Sequence, residues 1–426
     1  EKILNDAINY SSELIFILTN TRPMSSYEAE KINRKICQSF KSIYKRNRLN
    51  LKEILFISRG DSTLRGHGIL EPEIINQELG PYDATFHVPA FLEGGRTTRN
   101  GVHLLNNSPV HLTNFASDQI FGYSKSFLPD WIEEKSQGKI LSDQVLLINS
   151  EQLNLANNNK LGMKNLYNFL KGLSNNQLVV VDAQDPSHLD VFSKLIIQLM
   201  KHKRFLFRSA ASLISAFAQL PNNPYASLDL ASLRLRDKFF RLKLGLIIVG
   251  SHVELADEQL KFLLQHSSCQ GIELPVEKIA KILDGSLPDV LMDELENKWL
   301  CDLKKILKSG KTPVIFTSRG EISFLSISKR INFGLQLANL MARLVKKLLP
   351  DLGYVISKGG ITSQILLQKG LGVQMVRLKG QILPGLSLVC PETNFGKEQI
   401  PIITFPGNLG NKKTLLEAWQ LMEKIK

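Results

Sequence analysis

Short apolar runs, each closed by a loop bearing glycine, serine or aspartate and followed by an amphipathic stretch, recur along the chain. In the first half they fall at residues 54–57, 84–88, 145–148 and 179–182, with 14–18 read the same way. In the second half they fall at 245–249, 313–317, 354–357, 373–378 and 402–405. Such alternation argues for parallel sheets covered by helices. A chain of 426 residues exceeds what one core ordinarily serves, so two domains are expected. Pro221-Asn222-Asn223-Pro224 breaks the pattern, since two prolines and two asparagines continue neither a helix nor a central strand. The junction is expected between there and residue 243. The fold class is therefore α/β, with two domains, each a mostly parallel β-sheet flanked by helices, and an interdomain cleft.

An apolar share of 43% and a charged share of 22% are those of a globular protein. No window reaches the apolar length of a membrane helix, and no basic segment followed by an apolar one marks a secretory signal. The chain starts at Glu1 and enters an apolar run almost at once, so N-terminal sequence is expected to be missing. Cys37, Cys269, Cys301 and Cys390 lie far apart, with no CxxC pair, and read as free thiols in a reducing, cytoplasmic compartment. The net charge of +13 gathers at 31–52, 201–204 and 304–311, mostly on amphipathic stretches whose simplest reading is a solvated face. A nucleic-acid role would want interleaved exposed aromatics or a recognisable module, and neither is evident. A positive field equally steers anionic small molecules.

The densest chemistry lies in Ser58-Arg59-Gly60-Asp61-Ser62-Thr63-Leu64-Arg65-Gly66-His67, directly after an apolar run. A strand ending in such a loop presents hydrogen-bonding groups at a sheet's carboxyl edge, where open α/β sheets hold ligands. Arg65 and Arg96 are the candidate anion partners, because guanidinium forks match carboxylates. Asp61 and Asp118 are candidates for accepting substrate hydroxyls, with a turn or cap role the stronger reading for Asp118. His67 and His103 are acid–base candidates, although structural histidines are commoner. Arg204 and Arg208 are read as structural ion-pair formers rather than cleft residues.

Three strand-to-helix junctions of the second half share one character: Gly250-Ser251, Lys358-Gly359-Gly360-Ile361-Thr362-Ser363, and Pro406-Gly407-Asn408-Leu409-Gly410-Asn411. Glycine admits a ligand close to the backbone, and free N–H groups at a helix start attract phosphate. One such junction is ordinary turn chemistry, whereas three in one half point to a nucleotide site. No GxxxxGK[ST] loop, no GxGxxG in a suitable context and no protein-kinase signature accompanies them.

Asp61-Ser62-Thr63-Leu64-Arg65-Gly66, the segment from Pro89 to Gly101, the block from Thr113 to Lys135 and Arg204-Phe205-Leu206-Phe207-Arg208-Ser209-Ala210-Ala211-Ser212 resemble motifs of the four-carbon acid sugar kinase family. The likeness covers nearly the whole chain. It implies an acid-sugar-binding domain at 1–220, N-terminally incomplete, a linker at 221–243 and a nucleotide-binding domain at 244–426. It also implies phosphorylation of a terminal hydroxyl of a four-carbon sugar acid (threonate, erythronate or 2-oxo-tetronate type) by ATP with Mg2+. Carried over position by position, Asp61 is the catalytic candidate, and Ser62, Thr63, Arg65, Gly66 and Arg96 bind substrate. Ser251, Gly359, Gly360, Ile361, Thr362 and Gly407 bind nucleotide, and no protein metal ligand is assigned. The partners implied are the sugar acid and ATP; neither membrane nor nucleic acid is expected, and a homodimer is left open.

Three departures stand out. The family's N-terminal DD-x-TG motif is absent. Ile361 occupies a position that is acidic in some members, and Phe405 stands where some have lysine. The rival expectation is a catalytically weakened relative that binds a metabolite or a protein.

Overall fold

The computed structural model describes residues 1–9, 13–22, 24–118, 120–219, 227–251, 253–318, 327–391, 400–407 and 409–423. The chain divides into two compact units, Glu1–Leu220 and Pro221–Lys426. The Pro221-to-Pro224 break lies outside the described residues, as does Asn408. Of the stretch read as a linker, residues 227–243 carry the short helix Ser227–Ala231, whose Leu230 and Ala231 are buried in the second unit's core.

In the first unit, β1 (Phe56–Arg59), β2 (Ala84–Val88), β6 (Leu146–Ile148), β7 (Gln177–Val181) and β8 (Phe205–Ser209) form a wholly parallel sheet in the order β1-β8-β2-β7-β6. Its strands are apolar on both faces, as a doubly covered sheet requires. Phe205 and Phe207 pack with the helices Pro186–Leu199 and Ala211–Ala218, whereas Leu206 packs on the other face with Cys37 and Phe40 of the helix Ser26–Asn47. A small antiparallel sheet of β3 (Arg96–Arg99), β4 (Val102–Leu105) and β5 (Ser108–Pro109) follows β2.

In the second unit, β9 (Leu246–Val249), β10 (Cys269–Leu274), β11 (Thr312–Thr317), β12 (Val355–Lys358), β13 (Val376–Leu383), β14 (Leu386–Pro391) and β15 (Ile402–Phe405) form a seven-stranded sheet in the order β10-β11-β9-β12-β15-β14-β13. The first five strands in that row are parallel, and β14 and β13 are antiparallel additions. The helix Glu254–Leu264 after β9 and the helix Thr414–Glu423 after β15 bury Leu260, Leu263, Leu415 and Trp419 on one face. The helix Ile327–Leu348 and Leu366, beyond β12, pack on the other. Chain therefore leaves β12 toward the opposite face from its two neighbours, which opens the sheet's carboxyl edge on both sides of that strand.

The expected strand at 14–18 is not formed. Phe16 and Leu18 are 60% and 75% exposed; an apolar run becomes a strand only where a neighbour accepts its backbone hydrogen bonds, and β1, at the sheet's edge, pairs only with β8. Strands β8, β10 and β14 and the β3–β4–β5 hairpins were not foreseen.

Phe86 anchors the first core, edge-on to Phe192 and Phe205 and stacked on Phe207. Phe86→Ala is expected to destabilise the chain by about 3–5 kcal/mol, read as a lowered urea midpoint at unchanged slope.

Candidate functional site

The loop after β1 is shaped by local geometry before any ligand is considered. Leu64 and Gly66 have φ of 63° and 95°, and the left-handed turn at Leu64 is unusual for a side chain of its kind. Neighbouring elements hold it there. Tyr123 Oη donates to the Thr63 carbonyl at 2.7 Å, and His103 Nε2 lies 2.8 Å from the Ser62 carbonyl. His103 in turn contacts Thr98 Oγ1 of β3 at 3.0 Å and is fully buried. The small antiparallel sheet thus braces the loop.

Asp61 is saturated. Its Oδ1 accepts from Thr63 N–H and Oγ1 at 3.0 and 2.9 Å. Its Oδ2 meets Arg65 Nε and Nη2 at 3.0 and 2.9 Å and Arg22 Nη1 at 3.4 Å. Burial would raise this carboxyl, but the Thr63 amide, Arg65 and Arg22 outweigh it and hold it below its ordinary value. Arg65 is fixed by Asp61, by the Phe115 ring 4.7 Å away and by Asp118 at 3.8 Å. Asp118 Oδ1 caps the Ile120 and Phe121 amides, so its turn role holds, and it faces Arg65 as well.

Arg208, at the carboxyl end of β8, donates to Ser58 Oγ at 2.7 Å and to Glu71, which also accepts from Thr21. A Cβ at Gly60 would come within 2.8 Å of the Arg208 guanidinium, so that loop can cross the arginine only as glycine. A pocket above the strand ends is lined by Asp61, Arg65, His87, Trp131, Arg208 and Ser209. Burial and the nearby Arg208 push His87 down to about 3, leaving it neutral. Among the described residues, Trp131 Nε1 is a buried donor with no hydrogen-bond partner, and so is Arg96 Nε. Arg96 is otherwise held, among the described residues, by the Gly94 carbonyl at 2.7 Å and the Phe91 ring. Burial, and repulsion from Arg65, lower its affinity for its proton against the pull of Asp61.

The structure thus brings Asp61, Ser62, Thr63, Arg65 and Gly66 together on one loop, with Arg96 coupled to it electrostatically. Arg22, Glu71, His87 and Trp131 belong to the same neighbourhood and were missed; nothing in their sequence spacing pointed there. His67 contacts the Met24 carbonyl and the Phe121 ring, and His103 the groups named above, so both act structurally. Arg204 holds the Leu79 and Pro81 carbonyls and stacks on Tyr82, a structural role met through carbonyls and a ring instead of the expected ion pair, whereas Arg208 pairs with Glu71 and also lines the pocket.

In the second unit the three glycine junctions meet. They end β9, β12 and β15, adjacent strands of the sheet. A Cβ at Gly250 would overlap Thr362 Oγ1, and one at Gly407 would come within 2.5 Å of Ser251 Oγ. Gly359 has φ of 123°, a conformation reserved for glycine. Gly360 faces open space and Ile361 is 57% exposed. Beneath them Lys358 is fully buried, and burial pushes its ammonium down to about 8. No group of three His, Cys, Asp or Glu able to hold a metal ion occurs among the described residues.

Residues 2–217 match the sugar-binding N-terminal domain family and residues 246–415 the nucleotide-binding C-terminal domain family. The chain belongs to the four-carbon acid sugar kinase family. It is 25% identical over 411 residues to a D-erythronate kinase of Heliobacterium modesticaldum, covering 94% of this chain and 84% of that protein. Two solved structures share the fold. One, from Salmonella typhimurium LT2, has a TM-score of 0.67 at 17% identity over 93% of this chain and 86% of its own. The other, from Haemophilus influenzae, has 0.62 at 18% over 94% and 87%. In this acid sugar kinase relative the arginine cluster falls in the sugar-binding match and the glycine cradle in the nucleotide-binding match. Among the described residues, no helix is long and apolar enough to cross a membrane.

Neutral burial of His103, whose pKa is held at about 4, makes stability depend on pH. The unfolded chain takes up the proton near pH 6.5, whereas the native one resists until about 4, so stability falls as pH drops through that window. His103→Gln is expected to flatten this acid limb by on the order of 3 kcal/mol, read from urea unfolding at pH 7 and pH 4.5.

Proposed function

We propose that the protein transfers the γ-phosphoryl group of ATP to a terminal hydroxyl of a four-carbon sugar acid. The observation that carries this is the guanidinium cluster of the first unit. Arg65 is oriented in advance by Asp61, and Arg96 keeps a buried N–H without a partner among the described residues. A small carboxylate supplies what that cluster lacks. Arg65 and Arg96 hold the substrate carboxylate, while the Ser62 hydroxyl and Trp131 Nε1 orient its hydroxyls. Five contacts on the Asp61 carboxylate, against about four lone-pair positions, favour a role in holding Arg65 over one as proton acceptor.

The glycine cradle suits ATP. A bare Gly360, a glycine-only conformation at Gly359 and the close approach of Gly407 to Ser251 leave backbone amides free to meet phosphates. Mg2+ usually binds through one or two carboxylates together with phosphates and water. No cluster of three metal-ligating side chains occurs among the described residues, so no step is assigned to a protein-held metal. These residues accelerate transfer by positioning and by charge complementarity, the two demands that phosphoryl transfer places on a protein.

The test is ADP release by the full chain with ATP, Mg2+ and a panel of four-carbon sugar acids. Turnover with one stereoisomer supports the proposal. Thermal stabilisation by an acid without ADP release would instead favour the binding-only relative. With a turning-over acid in hand, Arg96→Ala is expected to lower kcat/KM on the order of a hundredfold at nearly unchanged Tm. Gly359→Ala should raise KM for ATP and leave KM for the acid alone.

A further inference from the structure

Lys358 closes β12 and has no role in the proposal above. Its Nζ donates to the Pro406 carbonyl at 3.3 Å and sits 3.8 Å from the centre of the Phe405 ring, Phe405 being its register partner in β15. No described carboxylate pairs with it, and burial alone perturbs it. A buried ammonium with only a carbonyl and a ring face beside it weakens the fold compared with an apolar side chain of the same volume. Its place gives it a use. Lys358 lies directly before Gly359-Gly360, between the strands that end at Gly250 and at Pro406-Gly407.

A trans peptide is planar, so its carbonyl and the following N–H point in opposite directions. By drawing the Pro406 carbonyl inward, Lys358 turns the Gly407 N–H outward, and that amide donates to no described group. Without the ammonium, the same peptide is free to present its carbonyl oxygen, which repels an anion. We propose that Lys358 is a phosphate-positioning residue: it aims the Gly407 amide at a nucleotide phosphate and adds a buried positive field behind it. This rests on reading the glycine junctions as a nucleotide cradle. It goes beyond that reading by assigning the work to a side chain hidden below the loop.

The experiment uses the full chain. Lys358→Met is expected to raise or preserve Tm while weakening ATP binding at least tenfold by calorimetry, raising KM for ATP but not for the sugar acid. Lys358→Arg should recover part of the loss. Independently of any variant, hydrogen exchange in the wild-type chain should show the 405–410 segment protected by saturating ATP. A folded Lys358→Met protein with wild-type ATP affinity, or a 405–410 segment whose exchange ATP leaves unchanged, would overturn the inference while ATP binding by the wild type left the cradle reading standing. A wild-type chain that binds no ATP would remove both.

Discussion

Parallel pairing is the constraint from which both candidate sites follow. When strands run the same way, their carboxyl ends line up along one edge, and every chain segment leaving that edge must turn at once toward a helix. In the first unit the ends of β1, β2 and β8 lie side by side and carry Gly60-Asp61, Val88-Pro89 and Ser209-Ala210. In the second unit β9, β12 and β15 do the same with glycine in all three turns. Residues far apart in the chain become neighbours because the ladders order them.

The two edges solve opposite electrostatic problems. The first gathers Arg22, Arg65, Arg96 and Arg208 with fewer acids, and the acids are spent holding arginines: Asp61 on Arg65, Glu71 on Arg208. What is left over is a directed positive surplus, with Arg96 the least satisfied member. The second edge relies on backbone amides exposed by small residues, with a single cation beneath. A carboxylate suits the first and a chain of phosphates the second.

Much of this was legible in the residues. The apolar runs at 84–88 and 402–405 coincide with strands, because such runs have little alternative once both faces must be covered. The glycine junctions and the loop around Asp61 were visible as departures from what a core needs. The failures have specific causes. The run at 14–18 looked like a strand locally, but strands need partners that a local pattern does not contain. Phe205–Ser209 carries a weak strand signature because Arg204 precedes it and Arg208 interrupts it after three buried aromatic and aliphatic positions. The β3–β4–β5 hairpins had a signal that could have found them: Asn100-Gly101 and Asn106-Asn107 both take positive φ, the signature of tight two-residue turns. Trp131 reaches the pocket, and Arg22 and Glu71 reach the Asp61 and Arg208 side chains that line it, only through tertiary packing, and no spacing rule connects them to Asp61.

The strand at one end of the seven-stranded sheet carries a consequence of its own. β13 joins β14 with two shifts of register, between Leu378 and Gly380 and again between Gln381 and Leu383. Irregularities of this kind kink a border strand and spoil it as a template for recruiting another polypeptide. Fusion of this sheet with a neighbouring molecule along that margin is thereby discouraged.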